Sequence, residues 1–218
     1  MLTKDQCRKI WYHGNIAFIG LYSIFITTIF IRLPYIKNIP LFICNFPLVL
    51  SYLATLVDYY PSNISGITKD GNFYAALLIY SLSTSYRIFM LPFYLFSIVN
   101  LSSYICSNRK EYENSNYFII SSIILDNKKQ MLLLAYTLEI ILPVLLILKG
   151  LCFLGLEWMA FSLVIALLKY EMKNSYMKKA VRNIFYTLEK LLYYVPSLKN
   201  RFFMLKSLVQ EKIKYKLD

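Results

Sequence analysis

Four stretches without formal charge limit what this chain can fold into. Between Lys9 and Arg32 lie 22 such residues (His13 taken as neutral), and between Lys37 and Asp58 another 20. Asp70 to Arg87 encloses 16 and Arg87 to Arg109 encloses 21. A helix rises about 1.5 Å per residue, so runs of about 18 or more match a hydrocarbon core of about 30 Å. A helix at the surface of a soluble core would show a polar residue every third or fourth position, and these runs do not. The chain is 58% hydrophobic, above the roughly half found in soluble domains. The pattern predicts an all-α, polytopic membrane protein built of helical hairpins. The first run is too long for a signal-peptide h-region and has no small-x-small cleavage site before Arg32, so it is expected to be a retained anchor.

The runs divide the chain into a membrane domain, 1–168, and a tail, 169–218. The first hairpin covers about 11–57, with helices at about 11–31 and 41–57 joined by "RLPYIKNIP", where Pro34 and Pro40 punctuate the turn. Pro47 inside the second helix is tolerable in lipid, where neighbours satisfy the freed carbonyl. Residues 58–72, "DYYPSNISGITKDGN", read as a loop. Asn63-Ile64-Ser65 is a glycosylation sequon that matters only if this loop faces the lumen. The segment 73–106 is too long for one span and carries Arg87 near its middle, followed by Pro92. Splitting it there lets the guanidinium reach an interface and gives a second hairpin or re-entrant pair. The short run 118–125 is too brief to span and is expected at the interface. A third hairpin follows at 131–168, turning at "KGLCFLGLE" with Lys149 and Glu157 at the membrane edge. Glu139 lies inside its first arm, where a carboxyl needs a polar partner or loses its charge. The four cysteines, Cys7, Cys44, Cys106 and Cys152, form no CxxC pair, which argues against a disulfide scaffold or zinc site. Cys7 and Cys106 sit near expected membrane edges, where palmitoylation competes with plain packing.

The tail holds 12 Lys and Arg against 4 Asp and Glu, so it carries +8 of the chain's +12. With Lys4, Arg8 and Lys9 at the other end, the positive-inside rule places both termini in the cytosol. Apolar residues recur at spacings of three and four through Met177, Ala180, Val181, Ile184, Phe185 and Leu188, the period of one helical face. Lys178, Lys179, Arg182 and Lys190 fill the other side. After Val195-Pro196-Ser197 a second amphipathic run carries Leu198, Phe202 and Leu205, backed by Lys199, Arg201 and Lys206. Three uses of such helices compete. They dock on the protein's own bundle, they lie in the interface of an anionic and curved leaflet, or they bind an acidic soluble partner. The membrane- or partner-binding residues are then Lys178, Lys179, Val181, Arg182, Ile184, Phe185, Leu188, Lys199, Arg201, Phe202 and Lys206. Nucleic-acid binding is disfavoured, because the basic residues follow the amphipathic pattern.

Three stretches resemble the transmembrane protein 33 family, which includes fungal pore-membrane and endoplasmic-reticulum-shaping proteins. "LPFYLFSIVNLSSY" (91–104) is similar to its Phe-Pro-x-x-Leu-Phe-Ser-x-x-His-x-x-x-Tyr segment through Pro92, Leu95, Phe96, Ser97 and Tyr104. "EIILPVLLILKG" (139–150) resembles its Glu-Ile-x-x-x-Pro arm through Glu139, Ile140, Pro143 and Gly150. "KYEMKNSYMKKAV" (169–181) resembles its Arg-Tyr-x-x-x-Arg-Asn-Pro-Tyr-x-Arg stretch through Lys169, Tyr170, Asn174, Tyr176 and Lys178. Asn100 stands in place of the family's histidine and Ser175 in place of its proline. The resemblance covers most of 73–190. It implies an integral protein of the endoplasmic reticulum and nuclear envelope that shapes tubules and sheets and supports nuclear pore assembly or distribution. Its implied partners are the bilayer, reticulon-type proteins, nucleoporins and an importin.

No cofactor and no small-molecule substrate are expected, and the chain is read as a non-enzyme. His13 is the one histidine, and HxxxxD, HExxH, GxSxG and phosphate-loop patterns are lacking. The rival reading is a small transporter or channel that uses Glu139 and Arg87 in broken helices.

Overall fold

Thr3 and Gln6 start the first helix. Thr3 Oγ1 accepts the Gln6 backbone N–H at 3.3 Å, and the Gln6 side chain accepts the Thr3 N–H at 2.8 Å, the reciprocal box that satisfies two exposed donors. The computed structural model describes residues 2–31, 41–60, 64–82, 87–113, 115–150, 164–165, 168, 171, 173–192, 202–204 and 206–207. At 28–31, 41–42, 64–65, 82, 87–88, 143–150 and 191–192 the description is of the backbone alone. The chain is all-helical, with no strand among the described residues. The principal helices are α1 (Lys4–Ile31), α2 (Leu41–Tyr59), α3 (Gly71–Leu82), α4 (Leu91–Ser107), α5 (Asn116–Asp126), α6 (Lys128–Gly150) and α7 (Ser175–Leu192). Among the described residues, no helix is long and apolar enough to cross a membrane. Two of the uncharged runs continue into 28–31 and 41–42, whose side chains are not described.

The elements pack in an order set by their breaks. Segment 73–106 is divided, α3 ending at Leu82 and a 3-10 turn, Arg87–Met90, leading into α4 with Pro92 in its first turn. Proline suits that position because its missing N–H has no helical partner there. The turn at 32–40, Asn63, most of the arm 151–168, Tyr170, the 195–197 break, Lys199 and Arg201 lie outside the described residues. α1 packs along α2 and against α4; α3 lies on α2; α4 supports α5 and α6; α7 lies on α6.

The α1–α2 crossing is close because Gly14 faces Pro47 and Ser51. A Cβ on Gly14 would overlap Ser51 Oγ and stand 2.5 Å from the Pro47 carbonyl oxygen. Ser51 Oγ lies within hydrogen-bond reach of that carbonyl at 3.0 Å and of the Trp11 carbonyl at 3.2 Å, so the contact joins small-residue packing to a polar tie between helices. Beyond the crossing, Phe18, Tyr22 and Phe25 of α1 meet Leu48, Leu78, Ile79, Met90, Phe93 and Leu142. Tyr94 closes this core, its ring 5.1 Å from that of Tyr22 and its hydroxyl 2.7 Å from Ser23 Oγ.

Alongside the apolar core, several polar side chains are buried and several large apolar ones face outward. Asn15, Asn45, Ser51, Ser81, Ser97 and Glu139 are buried, while Ile24 and Ile43 are each 52% exposed and Phe46 and Leu53 nearly as much. A single-residue change tests the crossing. Gly14→Ala is expected to cost about 1–3 kcal/mol by overpacking. Gly20→Ala, with nothing within 4 Å of its added Cβ, should be neutral or gain up to about 1 kcal/mol from helix propensity. Thermal unfolding of the two purified variants separates the outcomes.

Candidate functional site

Asn174 begins the tail helix and ties it to the bundle. Its Oδ1 accepts the Tyr176 backbone N–H at 2.8 Å, the bond expected of an N-cap, since α7 starts at Ser175. Its other side-chain group, Nδ2, donates to the Tyr136 hydroxyl at 2.8 Å. Tyr136 then donates to Glu171 Oε2 at 3.3 Å, and the Asn174 backbone N–H returns to the Glu171 carbonyl at 2.7 Å. One asparagine thus caps a helix and orients a phenol toward a carboxyl. Burial pushes the Glu171 carboxyl above its ordinary pKa, and the bond from Tyr136 partly offsets this.

This chain of bonds forms one wall of a cavity of about 480 Å³. α6 supplies Lys128, Leu132, Tyr136 and Glu139, at helical spacings that put all four on one face. Tyr52 comes from α2, Asn72 and Ala75 from α3, Phe93, Phe96 and Asn100 from α4, and Glu171, Asn174 and Tyr176 from the start of the tail. The Phe96 ring meets the Tyr136 ring edge-on at 5.0 Å. Glu139 is 2% exposed, and its Oε2 accepts no hydrogen bond among the described residues. A buried oxygen left in that state is costly.

Four of the residues singled out from three separate stretches of sequence, Asn100, Glu139, Asn174 and Tyr176, therefore converge on one cavity. Pro92 and Ser97 are buried structural positions of α4. Tyr104 packs against Trp11 and Tyr12, with ring centroids 5.6 and 5.4 Å away. Of Pro143 and Arg87 the backbone alone is described, in α6 and in the turn before α4. Sequence reasoning misses Lys128, Tyr136 and Glu171. The i, i+8, i+11 spacing of Lys128, Tyr136 and Glu139 is the available signal for two of them.

The tail residues separate into three groups. Met177 and Ala180 are fully buried on α6 beside Tyr136, with Val181 half-buried at their edge. That is docking on the chain's own bundle, and it takes up half of the apolar face. Ile184 and Leu188 border a second groove, of about 570 Å³, with Leu133, Leu134 and Ile141 of α6. Phe185 meets Phe202 at 5.8 Å. Lys206 Nζ pairs with Glu189 at 2.7 Å, so this lysine joins two parts of the tail and is not a free cation. Lys179 and Arg182 are exposed and Lys178 is half-buried.

Asn174→Ala should remove the cap and the bond to Tyr136, costing about 1 kcal/mol for the cap alone. Hydrogen exchange at the Tyr176 and Met177 amides would then quicken, whereas Asn174→Asp keeps the cap and loses only the donor. A pH dependence follows from Glu171. The folded state holds its proton more tightly than the unfolded chain, so the stabilisation is complete below the ordinary carboxyl range and is lost as pH rises through the raised folded value. Protection factors in this segment, with the intrinsic pH dependence of amide exchange divided out, should fall over that rise and stay constant in Glu171→Gln. No known protein family, curated protein or solved structure matches this chain.

Proposed function

We propose that this chain is an integral membrane protein of the endoplasmic reticulum and nuclear envelope that organises membrane shape and supports nuclear pore assembly or distribution. The observation that supports membrane insertion is that Ile24, Ile43, Phe46 and Leu53 face outward while Asn15, Asn45, Ser51 and Glu139 are buried. Water penalises large apolar side chains turned outward, whereas lipid leaves them unpenalised and favours the inward turning of polar groups. Trp11, Tyr12 and Tyr104 cluster beside Arg8 and Lys9, the composition of an interfacial aromatic belt. α5 exposes Tyr117, Ile119, Ile120 and Ile123, which suits a helix lying in that same interface.

The location and the cellular role come from the resemblance to the transmembrane protein 33 family; the chemistry of the tail supports a scaffold. Met177 and Ala180 anchor α7 on α6 while Lys179 and Arg182 face outward. Each such cation near an anionic leaflet contributes about 1 kcal/mol. The working surface is then a docked basic helix beside an apolar body, available to a cytosolic leaflet and to importin, nucleoporin or reticulon-type partners. The transporter reading draws on one observation, that Glu139 lines a cavity. Flux of a solute in proteoliposomes that is lost in Glu139→Gln would favour it.

Two measurements test the scaffold. The chain should stay in the membrane pellet after alkaline extraction, and release into the supernatant would overturn the insertion. Proximity labelling in cells should return endoplasmic-reticulum-shaping proteins or nucleoporins, and labelling of neither would overturn the role. Replacing Lys179 and Arg182 together by Glu should weaken contact of the tail with anionic vesicles by more than about tenfold at low salt, and less as salt screens the charges.

A further inference from the structure

The cavity between α2, α3, α4, α6 and the head of the tail has a chemistry that membrane shaping does not require. Two carboxyl groups from different parts of the chain, Glu139 and Glu171, face the same space. Glu171 has Tyr136 as a donor. Glu139 Oε2 has none among the described residues, although the side chain is almost wholly buried and lines the cavity. Among the described residues of the lining, the lysine is Lys128, which stands eleven residues before Glu139 on one helix. That is roughly 16 Å along the axis, too far to neutralise the inner carboxyl. The site thus presents acceptors at its inner end with no cation beside them among the described residues.

A bare metal ion fits poorly. Among the described residues, no group of three or more His, Cys, Asp or Glu is placed to hold one. The cavity, about 480 Å³, also far exceeds the volume of one ion or one water. The walls point to an organic cation. Phe93, Phe96 and Tyr136 line the same space as the carboxyls, and aromatic faces stabilise both an alkyl stem and the positive charge it carries. Asn72, Asn100 and Asn174 add amide groups that orient a polar ligand.

We infer that this cavity binds an alkylammonium group, with Glu139 and Glu171 as its acidic partners and the rings of Phe93, Phe96 and Tyr136 around its stem. That chemistry has two sources, a free aliphatic amine and the headgroup of an aminophospholipid. Because Asn174 both lines the cavity and caps α7, occupancy would also bear on how firmly the basic tail helix is held.

The experiment uses the purified full-length chain in detergent, titrated by calorimetry with spermidine, with dihexanoyl phosphatidylethanolamine, and with dihexanoyl phosphatidylglycerol, which lacks the ammonium. At least one amine probe should bind, phosphatidylglycerol should not, and Glu139→Gln should weaken the amine at least tenfold. Binding of spermidine alone assigns the free amine; binding of phosphatidylethanolamine alone assigns the lipid headgroup; binding of both leaves the ammonium as what is recognised. If Glu139→Gln does not elute as a folded helical species, Glu171→Gln carries the same expectation. Independently of any variant, the bound amine should protect Glu139 of the wild-type chain from an apolar carbodiimide, read by mass spectrometry. The inference is overturned if neither amine binds, if phosphatidylglycerol binds equally, if a folded variant keeps full affinity, or if Glu139 labels at the same rate with and without the amine.

Discussion

The hydrogen bond between the Asn174 side-chain amide and the Tyr136 hydroxyl joins two halves of this protein that otherwise have different physical characters. On one side is a bundle with apolar residues outward. On the other is a basic, amphipathic helix too charged to enter lipid and too apolar on one face to remain alone in water. Asn174 reconciles them because its two polar ends do different work. The oxygen satisfies an orphan donor of the helix start, and the nitrogen reaches across to α6. Beside that joint, Met177 and Ala180 pack against Tyr136. Glu171 is drawn into the same network, which leaves a carboxyl facing the cavity.

The bundle answers a different constraint, the close approach of α1 and α2. Gly14 allows Pro47 and Ser51 to come near, and Ser51 turns that proximity into a polar contact with the Trp11 carbonyl. Side-chain hydroxyls that reach back to carbonyls recur along the helices, at Ser51, Thr55 and Thr137 among others. Each satisfies a hydroxyl within its own helix. Among the described residues, the Asn45 amide and Glu139 Oε2 are buried polar groups that find no such partner, and Glu139 lines the cavity.

Much of the fold is legible in the residues alone. The length of the uncharged runs implies helices, and Arg87 with Pro92 implies the division of 73–106, because proline begins a helix more easily than it continues one. The amphipathic period of 177–188 also comes directly from the residues. Legibility stops where contacts depend on three-dimensional placement. Glu139 stands out for its depth in an apolar run, but its relation to Glu171, thirty-two residues later, is invisible in a linear reading. Lys206 reads as one more cation of a basic face, and only the return of the chain pairs it with Glu189.

The sequence by itself determined that this chain is helical, that its helices are apolar over long stretches, and that its charge is concentrated at the tail. Those properties follow from local composition and period, which are additive along the chain. The tertiary structure decided which polar residues meet. Asn100, Glu139, Asn174 and Tyr176 lie on three separate elements, and their convergence depends on how α4, α6 and the tail cross. It also decided that half of the tail's apolar face is occupied by α6. A helical period fixes which residues share a face, but the partner of that face is set by the packing of the rest of the chain.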